Sequence, residues 1–207
     1  MISAKIDSVL KKIEKQEKFE QDNPGQIPNS EKVLSIGRNT GIFYNIFLQG
    51  ICAAKILEIG MSVGYSTIWF ADAISGNKDG AIITIDQDQK KIDRAKKNFE
   101  EAGVADLINI HHGDALEILN KIGKNLNFRD YFDFVFIDAD KERYIQYFDV
   151  VFPMVKPGGF IGADNILLPE RFQKYTQAYV QHVRKNKKTK SVTIPIDNGE
   201  ELSLKLK

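Results

Sequence analysis

The sequence has 207 residues, 43% of them hydrophobic and 28% charged, with a formal net charge of +1. This length and composition predict one well-buried soluble domain, and the charge gives no overall attraction to nucleic acid or to a membrane. A single cysteine, Cys52, excludes an intramolecular disulfide and a thiol-only metal cage. No apolar run reaches about 18 residues, and the stretch from Met1 to Glu20 is too charged for a signal peptide, so we expect a cytoplasmic protein.

Residues 1–50 are expected to form a helical cap or interface segment of a single domain that spans residues 1–207. Apolar residues recur at helical spacing from about Ser3 to Glu20, which predicts an amphipathic helix. Its apolar stripe packs either on its own domain, or against another subunit or over the active site as a lid. After a loop, a second helix is predicted from Asn29 to about Arg38 and a third from Gly41 to Gly50.

The stretch from Lys55 to Ser66, KILEIGMSVGYS, predicts a buried strand, a glycine turn and the start of a helix. Gly60 and Gly64 allow positive φ angles or close approach of a ligand, and α/β sheets bind ligands at such turns. Their spacing does not fit the dinucleotide fingerprint, so a nucleoside without phosphates is the better ligand. A purely structural turn is the alternative. Glu58, inside the apolar run, is expected to face a cationic or hydrogen-bonding group.

Two more strands are predicted, each followed by polar residues. The segment AIITID predicts a buried strand that ends in Asp86, which is placed to accept both hydroxyls of a ribose. A charged helix and a strand from Leu107 to His111 follow, and the loop at residues 112–115 is placed to hold the edge of an adenine. His111 and His112 are adjacent and point to opposite faces, so we do not expect them to share a metal ion.

The fourth and fifth strands are followed by clusters of oxygen-bearing side chains. The fourth is predicted at residues 131–137, and the fifth at residues 160–163, after a Pro-Gly-Gly turn. Because the carboxyl ends of neighbouring strands meet at one edge of the sheet, Asp138, Asp164 and Asn165 can come together. Two carboxylates and an amide carbonyl suit Mg²⁺, Mn²⁺ or Ca²⁺ and disfavour zinc. The alternative is that both aspartates are helix N-caps.

The C-terminal part predicts a helix from Arg171 to Lys185, a basic loop at residues 184–190, and a β-hairpin around Asp197-Asn198-Gly199. The basic loop, RKNKKTK, is either a solvated turn or a docking site for a phosphate-bearing substrate. Strands that alternate with helices and end in this hairpin predict an α/β fold, a doubly wound sheet with an antiparallel edge strand.

Five motifs lie at the predicted strands or just after them: ILEIGMSVGYSTIWFA, TIDQD, GDA, FDFVFIDADKERY and KPGGFIGADNIL. Together they resemble the class I S-adenosylmethionine-dependent O-methyltransferases of the catechol and caffeoyl-CoA type, a cation-dependent family (family 3). The resemblance runs from about Ile27 to the C-terminus. It implies a Rossmann-like, mostly parallel sheet of seven strands with an antiparallel terminal strand. It also implies S-adenosylmethionine as cofactor, together with a divalent cation, magnesium or else manganese or calcium.

The resemblance also implies a role for individual residues. The first-strand acid and the glycine turn hold the methionine part of the cofactor, and the acid after the second strand holds its ribose. Lys141 is implied to be the general base; the alternative is a surface lysine paired with Asp140 or Glu142. The implied cofactor-binding residues are Glu58, Gly60, Ser62, Gly64, Ser66, Asp86, Asp114, Ala115 and Asp138. The implied catalytic residues are Lys141 and Asp138, and the implied metal ligands are Asp138, Asp164 and Asn165.

The function that the resemblance implies is methyl transfer to a hydroxyl of a small catechol-like aromatic with vicinal hydroxyls, by a homodimer without a membrane partner. One alternative is methylation of a hydroxylated uridine in tRNA, which the basic loop favours. Another is a cofactor-binding protein without turnover. The chain departs from the family pattern at Met61, at Asp197-Asn198-Gly199, and at Glu200 and Glu201, which stand where small or apolar residues are common.

Overall fold

The computed structural model describes residues 2–28 and 31–207. Within this part of the chain, seven strands form one sheet: β1 (Lys55–Ile59), β2 (Ala81–Asp86), β3 (Ile108–His112), β4 (Phe132–Ile137), β5 (Val155–Ala163), β6 (Thr189–Ile194) and β7 (Glu200–Lys205). The strand order is β3-β2-β1-β4-β5-β7-β6. Neighbouring pairs among β1 to β5 are parallel, and β7 runs antiparallel to both β5 and β6.

This topology confirms the predicted doubly wound sheet with an antiparallel terminal strand. The expectation that the antiparallel strand forms the edge is wrong, because β7 is inserted between β5 and β6, and β6 is the edge strand. The hairpin sequence predicted the pairing of the last two strands. It carried no information about which of them pairs with β5.

Helices cover both faces of the sheet. In the described residues they are α1 (Ala4–Asp22), α2 (Arg38–Gly50), α3 (Tyr65–Ile74), α4 (Gln89–Ala102), α5 (Ala115–Gly123), α6 (Tyr144–Val151) and α7 (Gln173–Lys185). Side chains alternate between faces along each strand, so Ile56 packs with α1 to α4 and Leu57 packs with α5 to α7. The continuous apolar runs of the sequence therefore reflect strands that are buried on both faces.

The N-terminal helix α1 packs on its own chain. Ser3 caps it by accepting a hydrogen bond from the Ile6 amide, and its apolar stripe joins the core beside α3 and α4. The second predicted helix is wrong for residues 31–37, which are not helical, while Asn29 and Ser30 lie outside the described residues. The buried carboxylate of Glu20 accepts a hydrogen bond from the Val33 amide, which holds this segment against α1 instead.

Two other segments differ from the sequence prediction. Helix α5 begins at Ala115, after a short connection from β3 at residues 113–114, and no helix was predicted there. The predicted Pro-Gly-Gly turn lies inside β5, where the register against β4 shifts between Phe132 and Phe134 and Gly158 has a φ of 88°. A short irregularity in one strand therefore replaces the turn. Among the described helices, none combines the length and the apolar composition needed to cross a membrane.

Candidate functional site

A cleft of about 670 Å³ opens at the carboxyl ends of β1, β2, β4 and β5. Strand order reverses direction at β1, which has β2 on one side and β4 on the other, and ligands of open α/β sheets bind at such a switch point. Ten of the residues predicted for cofactor, metal or catalysis line this cleft: Gly60, Ser62, Ser66, Asp86, Asp114, Ala115, Asp138, Lys141, Asp164 and Asn165. Glu58 and Gly64 do not belong to its lining.

The glycine turn between β1 and α3 packs tightly against the end of β4. Gly60 has a φ of 91°, and a side chain on it would collide with the carbonyl of Asp138. Gly64, with a φ of 85°, is the N-cap residue of α3, and a side chain there would collide with the ring of Phe99. The hydroxyl of Ser62 is buried and has no hydrogen-bond partner within the described residues. The turn thus brings bare backbone and one unsatisfied hydroxyl to the cleft.

Asp86 is anchored to this turn by backbone hydrogen bonds. Its Oδ2 accepts from the amides of Met61 (3.2 Å) and Ser62 (2.7 Å), and its Oδ1 accepts from the amide of Asp88 (2.9 Å). Each carboxylate oxygen has two lone pairs, so both positions on Oδ2 are used and one acceptor position remains on Oδ1. The ribose-binding role of Asp86 stays a prediction, with a carboxylate in place to perform it.

Glu58 lies beneath the cleft rather than in its wall. It is fully buried and accepts hydrogen bonds from the hydroxyls of Ser66 (2.5 Å), Thr67 (2.6 Å) and Thr84 (2.6 Å). Burial raises the pKa of Glu58 to about 7, although the three hydroxyls oppose this shift. The expected hydrogen-bonding partners are therefore present, and Glu58 ties the start of α3 to β1 and β2.

Asp114 is engaged in two structural interactions at the far end of the cleft. It caps α5 by accepting a hydrogen bond from the Glu117 amide (3.1 Å), and it pairs with Arg143 at 2.6 Å. The hydrogen bond from Arg143 lowers the pKa of Asp114. Sequence reasoning missed Arg143, which also lines the cleft. A basic residue two positions after Lys141 was the available signal, but it does not identify a partner 29 residues away.

Asp138 and Lys141 form a close ion pair in the cleft. Lys141 Nζ lies 2.7 Å from Asp138 Oδ1, and its side chain is only 10% exposed. The alternative of a surface lysine paired with Asp140 or Glu142 does not match this geometry. Asp140 instead caps a short 3₁₀ turn by accepting from the Glu142 amide. The helix N-cap alternative therefore fits Asp140 rather than Asp138.

Asp164 and Asn165 lie at the end of β5, in the same cleft as Asp138. Asp164 is buried, and its Oδ1 accepts a hydrogen bond from the backbone amide of Asn165 at 2.6 Å. Burial, and next the charge of Asp138, raise the pKa of Asp164 to about 6. Two carboxylates that repel each other beside an amide oxygen form a donor set that a hard divalent cation would stabilise.

A third acid, Glu200, is fully buried at the start of β7, which pairs with the end of β5. Burial raises the pKa of Glu200 well above its usual range, and the neighbouring Asp164 carboxylate adds to the shift. Nevertheless, the described residues contain no group of three or more His, Cys, Asp or Glu side chains arranged to hold a metal ion. The predicted set has two carboxylates and one amide, so its cation-binding role remains a prediction.

The N-terminal segment borders the cleft as well. Glu17 and Ser35 are part of its lining, and the Ser35 hydroxyl donates to Glu17 at 2.6 Å. The Tyr65 hydroxyl donates to Glu14 at 2.6 Å, and Arg38 pairs with the same carboxylate at 2.7 Å. Helix α1 is thus tied to the glycine-turn side of the cleft, although its apolar stripe packs on its own domain.

His111 and His112 lie away from this cleft. They border a separate cavity of about 470 Å³ beside α5, and the ring of His112 contacts the carbonyl of Gln87.

The fold and the cleft together define a Rossmann-like protein of the methyltransferase class. Two solved structures share the architecture. One is the O-methyltransferase TomG from Streptomyces achromogenes, involved in tomaymycin synthesis and solved in complex with SAM. Its TM-score is 0.80 and its sequence identity is 26%, and the match covers 96% of this chain and 90% of that one. The other is an O-methyltransferase from Bacillus cereus in complex with SAH, with a TM-score of 0.79, 24% identity, and coverage of 96% and 90%.

Residues 8–206 match the O-methyltransferase family (family 3), and the chain belongs to that family. The resemblance inferred from the five motifs is thereby confirmed. A catechol O-methyltransferase from Niastella koreensis is 39% identical over 135 residues, which is 65% of this chain and 59% of the relative. Caffeoyl-CoA O-methyltransferase 1 from Zea mays is 36% identical over 135 residues, 65% of this chain and 52% of the relative. The match thus spans between half and two thirds of the length of these curated relatives.

Proposed function

We propose that this chain is an S-adenosylmethionine-dependent O-methyltransferase that requires a divalent cation and methylates one hydroxyl of a small aromatic with vicinal hydroxyls. The observation that carries the proposal is the convergence of Asp138, Lys141, Asp164 and Asn165 in one cleft, beside the glycine turn. Family membership and the sulfonium-cofactor complex of a 26%-identical neighbour support the reaction class.

The cleft fits the proposed cofactor on its own features. Gly60 brings bare backbone to the floor of the cleft, and the buried hydroxyl of Ser62 lacks a partner within the described residues. A methionine carboxylate or amine would satisfy such a group. Asp86, at the end of β2, retains an acceptor position on Oδ1 for a ribose hydroxyl.

The donor set also fits the proposed cation. Asp138, Asp164 and Asn165 would hold it, and oxygen donors of this kind favour magnesium, with manganese or calcium as substitutes. When bound, such an ion would act as a Lewis acid on two adjacent substrate oxygens and make the hydroxyl more acidic.

The chain's own residues would then position the reactants. In the proposed step the substrate oxygen attacks the methyl carbon in line, the carbon–sulfur bond breaks, and S-adenosylhomocysteine leaves with that electron pair on sulfur. The hydroxyl proton passes to Nζ of Lys141, which must first give up the proton that it carries in the ion pair with Asp138. Leu34, Pro169 and Phe172 border the cleft and supply apolar surface for an aromatic ring.

Methyl transfer from labelled S-adenosylmethionine to catechol, with phenol as the matched single-hydroxyl acceptor, tests the proposal. We expect product from catechol and little or none from phenol, because only catechol can chelate through two oxygens. Cofactor binding by calorimetry without product on any vicinal diol would overturn the substrate assignment. The absence of cofactor binding would overturn the methyltransferase assignment as well.

The tRNA alternative has less support. The basic loop that would contact tRNA joins α7 to β6. It lies at the edge of the sheet where β5 begins, because Thr189 pairs with Lys205 and Lys205 Nζ contacts the carbonyl of Val155. That edge is opposite the cleft. Arg184, the first residue of the basic run, is paired with Glu201. Steeply salt-dependent binding of tRNA would favour this alternative.

The third reading, a cofactor-binding protein without turnover, is also disfavoured. All four residues implied in catalysis and cation binding are present and face one cleft. A chain that had lost catalysis would not need to keep all four.

We further propose a homodimer, as the resemblance implies. On the α2 side of the sheet, apolar side chains of the edge strand β6 and of α2 are exposed. Val192 is 55% exposed there and pairs with Leu202, and Ile46 on the outer side of α2 is 66% exposed. Apolar side chains left open in this way are typical of a subunit interface.

A further inference from the structure

The acceptor end of the cleft carries an arginine that the proposed chemistry does not use. Arg171 lines the cleft together with Pro169 and Phe172, in the segment that leads from the end of β5 to α7. The residue is exposed. Among the described residues its guanidinium has no carboxylate partner, and it lies over the ring of Phe172 with Cζ 4.8 Å from the ring centroid.

The other cations that line the cleft are placed differently. Lys141 and Arg143 each pair with an aspartate, at 2.7 Å and 2.6 Å. Lys91 lies in the first turn of α4, beyond the end of β2, where the ribose of the cofactor is expected. Within the described lining, Arg171 is therefore the cation that remains available beside the proposed aromatic acceptor.

The segment that carries Arg171 is anchored to the turn between β6 and β7. The Ile166 amide donates to the carbonyl of Gly199 at 2.9 Å. The Leu167 amide donates to the carbonyl of Asn198, also at 2.9 Å. A side chain on Gly199 would collide with Leu167, so the two segments pack closely. The guanidinium is thus presented at the mouth of the cleft by a segment with fixed backbone contacts.

A guanidinium in this position matches a carboxylate on the acceptor. Its N–H donors lie in one plane and bind a carboxylate through two parallel hydrogen bonds. Contact with an aromatic ring uses the face of the guanidinium and leaves that N–H edge open. One guanidinium balances the single charge of a carboxylate, whereas a phosphate monoester would leave part of its charge unpaired.

We propose that Arg171 is a specificity-determining residue that binds a carboxylate of the acceptor, so that the preferred substrates are aromatic vicinal diols that also bear a carboxylate. The inference rests on the proposed function, because it places the diol of the same molecule at the proposed cation site. The apolar surface of Pro169 and Phe172 would then contact the ring between these two ends.

Steady-state methyl transfer to 3,4-dihydroxybenzoate, 3,4-dihydroxycinnamate and catechol tests the proposal, at saturating S-adenosylmethionine and Mg²⁺. For wild type, kcat/KM for the better of the two acids is expected to exceed that for catechol. Arg171→Met is expected to lower this acid-to-catechol ratio about ten-fold or more, mainly by raising KM for the acid, because a charge-assisted hydrogen bond is lost. Arg171→Lys keeps the charge without the planar fork and should lose less.

Arg171→Glu tests the sign of the interaction. Its carboxylate would repel both acids and attract an ammonium, so 4-(2-aminoethyl)catechol is expected to become a better substrate than either acid. Loss of a purely structural contact would not invert the order of the substrates. The calorimetric Kd of 3,4-dihydroxybenzoate, measured with S-adenosylhomocysteine and Mg²⁺ present, is expected to rise in Arg171→Met without any need for turnover.

Arg129→Met is the matched control. Arg129 is also exposed, and it lies just before β4, at the edge of the sheet opposite the cleft. The substitution makes the same change in net charge. Both the acid-to-catechol ratio and the turnover of catechol should match wild type.

The outcomes separate the role of Arg171 from the proposed function. Wild-type protein that methylates none of these diols would overturn the proposed function, and this inference with it. If wild type methylates catechol but prefers it to both acids, or if Arg171→Met leaves the acid-to-catechol ratio unchanged, the role of Arg171 alone is overturned.

Discussion

Lys141 shows most clearly what one residue contributes to the cleft. Its ammonium is held 2.7 Å from Asp138 and its side chain is almost buried, which places Nζ beside the proposed cation ligands. We expect Lys141→Met to lower kcat for a catechol by about 10²–10⁴-fold, the usual contribution of a general base. The calorimetric Kd for S-adenosylmethionine should change little, because Lys141 is not among the residues implied to hold the cofactor.

Lys185→Met is the control for this experiment, since Lys185 is exposed at the end of α7, opposite the cleft. It should leave kcat unchanged. Near-normal turnover in Lys141→Met would contradict the assignment of Lys141 as the base.

Glu58 gives a prediction about pH and stability. Its folded-state pKa of about 7 lies above the ordinary value of 4.5, so between these two pH values the folded protein binds more protons than the unfolded chain. The stabilisation of the folded protein by protonated Glu58 is therefore fully present below about pH 4.5 and is lost as pH rises through 7. A shift of this size corresponds to on the order of 3 kcal/mol.

The check is the free energy of unfolding of wild type and Glu58→Gln in urea, at pH 5 and at pH 8. We expect the free energy of unfolding of wild type to fall relative to that of Glu58→Gln as pH rises. Because Asp164 and Glu200 are present in both proteins, their titration affects both free energies equally and does not contribute to the difference. A difference that does not depend on pH would show that Glu58 stays ionised in the folded state.

At the scale of elements, the start of α2 depends on a residue from the far end of the chain. Asp197, in the turn between β6 and β7, accepts hydrogen bonds from the amide of Thr40 at 2.9 Å and from its hydroxyl at 3.0 Å. Gly37 leaves room for this carboxylate, because a side chain there would overlap it. The departure from the family pattern at Asp197 thus has a structural explanation as the cap of α2.

We expect Asp197→Ala to destabilise the protein by about 0.5–2 kcal/mol, the usual cost of losing a helix cap. Thermal unfolding followed by circular dichroism measures this loss. Asp106→Ala, which changes an exposed aspartate, should leave the melting temperature within error. Equal melting temperatures for both variants would contradict the capping role.

Most elements could be predicted because their signals are local. Buried strands gave continuous apolar runs, and capped helices such as α4, with Asp88 before it and Gly103 after it, carried both end signals. Residues 31–37 were predicted wrongly because their conformation depends on Glu20, a buried partner in α1. The order of the last two strands was missed for a similar reason, since pairing with β5 is decided by long-range contacts.

At the scale of the whole molecule, the site was also predictable where its signals are local, and it was missed where they depend on long-range contacts. Parallel strands share one carboxyl edge, so Asp86, Asp138 and Asp164 could be assigned to one cleft from their positions after strands. The contact of Tyr44 with Glu200 joins residues 156 positions apart and has no local signature. The positions of Glu200 and Glu201 were noticed in the sequence, but only the structure shows that they face opposite sides.

The proposed dimer is tested at this scale. We expect analytical ultracentrifugation to give the mass of two chains for wild type, and a shift toward one chain for Val192→Lys combined with Ile46→Glu, because both charges would be buried in the interface. Leu126→Lys changes an apolar residue that is 79% exposed elsewhere on the surface, and it should not alter the mass. A wild-type protein with the mass of one chain would contradict the dimer.

The measurement that tests the central claim most directly is methyl transfer from labelled S-adenosylmethionine to catechol before and after removal of divalent cations with EDTA. The all-oxygen set of Asp138, Asp164 and Asn165 predicts that product formation stops with EDTA and returns when Mg²⁺ is restored in excess. Undiminished product in the presence of EDTA would contradict the cation-dependent mechanism.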